Sequence, residues 1–170
     1  MKSKAYFKEE QTYPFWIVIS IGMVLLLSIF FLSNSAELPG KKVIISSLII
    51  SLTLLLFLLI SLKLKVDESE IIVRFRPFIN REKKIRWEEL KSARLRRSSP
   101  MLEFGGWGYR MRFNKRAYTL YGSWGLDLEF KNGKKLFIGV QKHDHLHLFL
   151  EERIYSKYPE LESWKRNDKD

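Results

Sequence analysis

The chain has 170 residues, no cysteine, five Trp, twelve Phe and a formal net charge of +11. The absence of cysteine excludes disulfides and thiolate metal sites, and the length allows one modest domain plus a further segment. The chain is mostly apolar up to about Leu62, and beyond it charged residues recur every few positions.

Two uncharged runs dominate the first part: PFWIVISIGMVLLLSIFFL, Pro14 to Leu32, and VIISSLIISLTLLLFLLISL, Val43 to Leu62. A bilayer core of about 30 Å needs about 20 helical residues, so membrane spans are predicted at about 14–32 and 43–62. Ser46, Ser47, Ser51 and Thr53 can bond back to their own helix carbonyls and do not veto this. A cleaved signal peptide is the other reading of the first run. Its apolar core is longer than the usual length of about 7–15 residues, and a second run follows at once. Lys2, Lys4 and Lys8 precede the first run, Lys41 and Lys42 lie between the two, and Lys63, Lys65, Arg74 and Arg76 follow the second. The positive-inside rule then implies a multi-pass protein of a bacterial inner membrane with both termini cytoplasmic.

From Lys63 the period changes to two. Leu62, Leu64 and Val66 alternate with Lys63 and Lys65. Ile71, Val73 and Phe75 alternate with Ile72, Arg74 and Arg76, and Pro77 ends that strand. A short strand is predicted around Lys83–Arg86, a brief corner at Trp87–Leu90, and renewed alternation through Ala93, Arg94, Leu95 and Arg96. Strands are also predicted at Tyr109–Phe113, Ala117–Tyr121 and Leu126–Phe130. A last one follows Asn132-Gly133, among the strongest hairpin turns. A helix from His143 to Tyr158 shows one apolar stripe of Leu146, Phe149, Leu150 and Ile154, and Pro159 stops it. The element order suggests an α+β protein: a transmembrane helical hairpin followed by a pleckstrin-homology-like (PH-like) antiparallel β-barrel capped by a C-terminal α-helix. The expected organisation is 1–62 tail and hairpin, 63–158 PH-like cytoplasmic domain, and 159–170 flexible tail.

The stretch LEFGGWGYRMRF, Leu102 to Phe113, is echoed by GSWGLDLEF, Gly122 to Phe130. A phosphate cradle needs glycines that open a helix, and here a strand follows. Gly105, Gly106 and Gly108 are therefore read as a structural motif with Trp107, permitting positive φ at a tight corner. In a meander, Arg110 and Arg112 would share an outer face with Asp127 and Glu129, one strand removed.

These residues resemble a family of small, functionally uncharacterised bacterial membrane proteins. Its members have an acidic-glutamine N-terminal tag, two spans and a PH-like cytoplasmic domain. The resemblance is carried by Phe7-Lys8-Glu9-Glu10-Gln11, by Ile85-Arg86-Trp87-Glu88-Glu89-Leu90, by the Gly105-Gly106-Trp107-Gly108-Tyr109-Arg110 core, by Ala117-Tyr118 with Gly122, and by Gly139 with Gln141-Lys142. Trp124 and His143 depart from the family pattern. The resemblance implies a fold and carries no activity with it.

No catalytic constellation is evident. His143 and His147 stand at helical spacing, but no H-E-x-x-H motif or third ligand accompanies them, so no metal or other cofactor is expected. Positive charge is the strongest chemical feature. Fourteen Lys or Arg and four acids lie between Ile71 and Arg116, a net +10. The predicted lipid- or partner-binding residues are Arg74, Arg76, Arg94, Arg96, Arg97, Arg110 and Arg112. The expected role is a membrane-anchored binding or scaffolding module rather than an enzyme, contacting the lipid bilayer through anionic headgroups, a membrane protein partner, or a second copy of itself. Nucleic-acid binding and a purely structural role in a membrane complex are the alternatives; no nucleic-acid-binding signature supports the first.

Overall fold

The computed structural model describes residues 6–34, 40–77 and 79–161. The chain divides into two compact units, Met1–Gln11 with Ser61–Asp170, and Thr12–Ile60.

The smaller unit holds helices α1 (Phe15–Ser33) and α2 (Gly40–Leu59). Within them, Ser20, Ser28 and Thr53 each donate to the carbonyl four residues back at 2.8 Å. The Tyr13 and Phe57 rings meet at 5.5 Å. Phe15, Trp16, Met23, Leu26 and Phe31 on α1 are exposed, as are Ile44, Leu48 and Leu52 on α2.

The expectation of two membrane spans is corrected. Among the described residues, no helix is long and apolar enough to cross a membrane. The second predicted span fails at its C-terminal end: α2 stops at Leu59, and Ser61 and Leu62 already belong to a strand, with Leu62 fully buried. The transmembrane hairpin, and with it the multi-pass inner-membrane placement with both termini inside, rested on those spans and falls with them. Residues 35–39, within the predicted connection SNSAELPGKK, and the end of the tail from Glu162 lie outside the described residues.

The larger unit contains two sheets. The first is β1 (Tyr6–Thr12), β2 (Ser61–Asp67), β3 (Glu70–Arg76) and β4 (Ile79–Arg86), in that spatial order. The second comprises β5 (Leu90–Arg97), β6 (Gly108–Arg112), β7 (Lys115–Thr119), β8 (Trp124–Phe130) and β9 (Lys135–Gly139), in the order β5-β8-β9-β7-β6. The period-two pattern sets the register. Leu62, Leu64 and Val66 face Phe75, Val73 and Ile71 across β2–β3, and Leu126 and Leu128 face Ile138 and Leu136 across β8–β9. All of these side chains are buried. Phe75 of the first sheet stacks on Tyr118 of the second at 6.1 Å, so the inner faces form one core. Helix α4 (His143–Phe149), continued by a π-helical turn at Leu150–Tyr155, adds Leu146, Leu150 and Ile154 to that core. The Tyr155 hydroxyl donates to the Ala93 carbonyl at 2.9 Å. Leu161, in the predicted flexible tail, is also buried.

The closed barrel is corrected as well: the sheets are two, and no ladder joins them among the described residues. The reason is in the pairing. β7 does not continue a meander into β8 but pairs in parallel with β9, which leaves the β6–β7 hairpin at the sheet edge. Arg110 therefore stands in one row with Ala117, Phe137 and Asp127, with two strands between the arginine and the aspartate rather than one.

The first strand was not predicted. Its alternate residues Phe7, Glu9 and Gln11 are buried. The Glu9 carboxylate accepts the Gln141 N–H at 2.8 Å and the Lys142 N–H at 2.9 Å, just ahead of α4. Gln11 donates to the Gly139 carbonyl at 2.9 Å and also to Glu9. The N-terminal tag and the Gly139–Lys142 segment, far apart in sequence, are thus one hydrogen-bonded cluster.

Candidate anion-binding surface

The predicted arginines fall on different surfaces. Arg74 and Arg76 belong to β3 of the first sheet, where ion pairs already balance much of the charge. Lys63 pairs with Glu10 at 2.6 Å, Lys84 with Glu70 at 3.6 Å, and Arg74 approaches Glu82 at 4.0 Å. Arg94, Arg96, Arg110 and Arg112 share the outer face of the second sheet, as the register requires. Arg97 stands exposed at the end of β5, opposite Trp124.

Two of these arginines are internally committed. Arg96 makes a two-pronged bond to Glu103, at 2.7 and 2.9 Å, and its Nε donates to Asp127 at 2.7 Å. Arg94 shares the same Asp127 oxygen at 3.2 Å. The Arg96 guanidinium also lies 5.1 Å from the Phe137 ring, which the Phe104 ring approaches at 5.2 Å. Phe104 comes from a short helix, α3 (Pro100–Phe104), that was not predicted. The Arg96 hydrogen bond, against opposing burial, holds the Glu103 carboxyl below the usual carboxylate range. Bonding to Glu103 raises the Arg96 pKa further. Arg94 and Arg96 are therefore parts of a structural clamp. Lys91 and Lys135 both pair with Glu129, at 3.1 and 3.3 Å.

The glycine motif is a corner. Gly105, Gly106 and Gly108 have φ of 74°, 124° and 103°, and Gly105 caps the C-terminal end of α3. Trp107 is partly exposed, and its indole N–H donates to the Gly122 carbonyl at 3.2 Å, tying the two echoed glycine–tryptophan corners together. Trp124 stacks on the His143 ring at 4.8 Å.

The ion pairs of the second sheet leave Arg110, Arg112, Lys115 and Arg116 outside them. All four are exposed on the β6–β7 hairpin. Met111 is 63% exposed, and Phe113, at the turn, is 103% exposed with φ of 44°. A left-handed backbone angle on a bulky residue is an outlier that the sequence does not announce.

A basic recess opens nearby, lined by Lys83 of β4, Phe113, Asn114 and Arg116 of the hairpin, and Phe130, Asn132 and Lys134 around the β8–β9 turn. Lys83, Lys134 and Phe113 were not among the predicted site residues. They converge from three segments, so no local pattern marks them. The chain matches no protein-family model and no curated protein.

Proposed function

We propose that this chain is a non-catalytic binding module whose second sheet engages anionic lipid headgroups through the β6–β7 hairpin. The observation that carries this reading is the hairpin's composition: four exposed cations outside the sheet's ion pairs, interleaved with exposed Met111 and Phe113. Cations meet headgroup charge, and apolar side chains between them gain by leaving water. Nucleic-acid phosphates would satisfy the cations but would give the two apolar side chains a less apolar environment than lipid. Arg94 and Arg96, predicted as contacts, act here as supports of the surface.

The test is sedimentation of the full chain with neutral and anionic vesicles. The neutral arm accounts for any contribution of the exposed helices. Each basic residue near an anionic surface contributes about 1 kcal/mol, so R110Q/R112Q is expected to weaken the anionic increment about 30-fold. Added salt is expected to do the same progressively. Equal partition onto both vesicle types, or an unchanged increment in the double variant, would reject the proposal. Retention by nucleic acid without any preference for anionic vesicles would also reject it.

A further inference from the structure

The recess beside the hairpin has the features of a specific site. Its volume is about 220 Å³. Backbone bonds hold its walls: Lys131 N–H to the Glu89 carbonyl at 3.0 Å, and Lys135 N–H to the Asn114 carbonyl at 2.7 Å. Lys83, Arg116 and Lys134 line it, and Glu89 is the carboxylate among its lining residues. Lys135, also at the lining, is committed to Glu129. The Lys83 ammonium stands 5.6 Å from the Phe130 ring. Burial, and then the charges of Arg116 and Lys134, hold Lys83 below the ordinary lysine range, with Glu89 opposing. Like charges gathered around one concavity repel until an anion enters.

We infer that this recess takes the phosphoryl group of a phosphate-monoester lipid headgroup, with Phe113 entering the acyl layer beside it. The inference rests on the lipid-surface reading above and narrows it to one site and one headgroup chemistry. Three cations against one carboxylate leave two positive charges, which match a monoester carrying about −1.5 to −2 at neutral pH. A diester headgroup phosphate carries one negative charge and matches less well. Phe113 supplies the second, independent observation. Its ring is wholly exposed at a φ of 44°, a backbone angle that bulky non-glycine residues rarely adopt. An apolar layer next to the recess would bury it.

The experiment compares binding of the full chain to phosphatidic acid vesicles and to phosphatidylglycerol vesicles at matched surface charge. The same comparison is made for K83M/K134Q. Wild type is expected to prefer phosphatidic acid about tenfold. The variant is expected to lose that preference while still binding phosphatidylglycerol vesicles. Soluble glycerol 3-phosphate is the second probe. It is expected to shift the Lys83 side-chain NMR signals and to compete for the recess, without moving position 113 into an apolar environment. Because the chain has no cysteine, F113C carries a single environment-sensitive fluorophore. Its emission is expected to shift to the blue with phosphatidic acid vesicles and not with glycerol 3-phosphate. Equal affinity for the two lipids, a variant that keeps the preference, or an unshifted fluorophore overturns the inference while leaving the lipid-surface reading in place. No excess binding to either anionic vesicle over neutral ones overturns both.

Discussion

Removing the Glu9 carboxylate is expected to unfasten β1 from the start of α4. That carboxylate is buried and accepts two backbone N–H groups, from Gln141 and Lys142, at 2.8 and 2.9 Å. Hydrogen bonds to a charged group contribute about 1.5–3 kcal/mol each. The two together set a range of about 3–6 kcal/mol, and water entering the space left by alanine restores part of it. E9A is therefore expected to cost about 3 kcal/mol, near the lower end of that range. For a folding unit of this size, that corresponds to a fall of about 10 °C in Tm. E9Q keeps one acceptor oxygen and is expected to lose about half as much. Thermal melts of the full chain followed by near-UV circular dichroism measure the loss, and amide exchange at Gln141 and Lys142 locates it. A Tm for E9A within about 2 °C of wild type, with both amides still protected, would refute the view that this cluster fastens the N-terminal strand.

Three further outcomes follow from the second sheet. A Cβ built at Gly125 would lie 2.3 Å from the Phe137 ring and 2.8 Å from the Ile138 carbonyl, so G125A is expected to destabilise the chain by about 1–3 kcal/mol in denaturant melts. F113G relieves the left-handed strain, so it is expected to raise stability by about 1 kcal/mol while weakening vesicle binding; a loss of stability would show that the ring is held for packing. Glu103 is depressed in the folded state by its bond to Arg96. Its contribution is present above the unfolded carboxylate pKa and is lost as pH falls through the lower folded value. R96Q is expected to flatten that acid limb of the stability–pH curve, and an unaltered limb would assign it to other carboxylates such as Glu129, which is also depressed.

The sequence by itself determined most of the local structure, because local structure follows from short-range periodicity. Alternation of two marked β2, β3, β5, β6 and β8, an apolar stripe marked the helix from His143, and Asn132-Gly133 marked a turn where Gly133 has φ of 78°. The glycines around Trp107 were legible as a corner because positive φ has a compositional signature. Tertiary structure decided what depends on residues distant along the chain. It placed Phe7, Glu9 and Gln11 on a strand beside β2, and it bonded Glu9 and Gln11 to a segment some 130 residues later, neither of which local periodicity can mark. It ended α2 at Leu59 and assigned to β2 the residue Leu62, which the sequence placed both in the apolar run and in the alternation that follows it. It paired β7 with β9 in parallel, which separated Arg94 and Arg96, neutralised by Asp127 and Glu103, from the exposed cations of the hairpin. Counting arginines located the charge. Which of them remain outside ion pairs is settled by where the carboxylates fold, and the composition of a strand does not encode that.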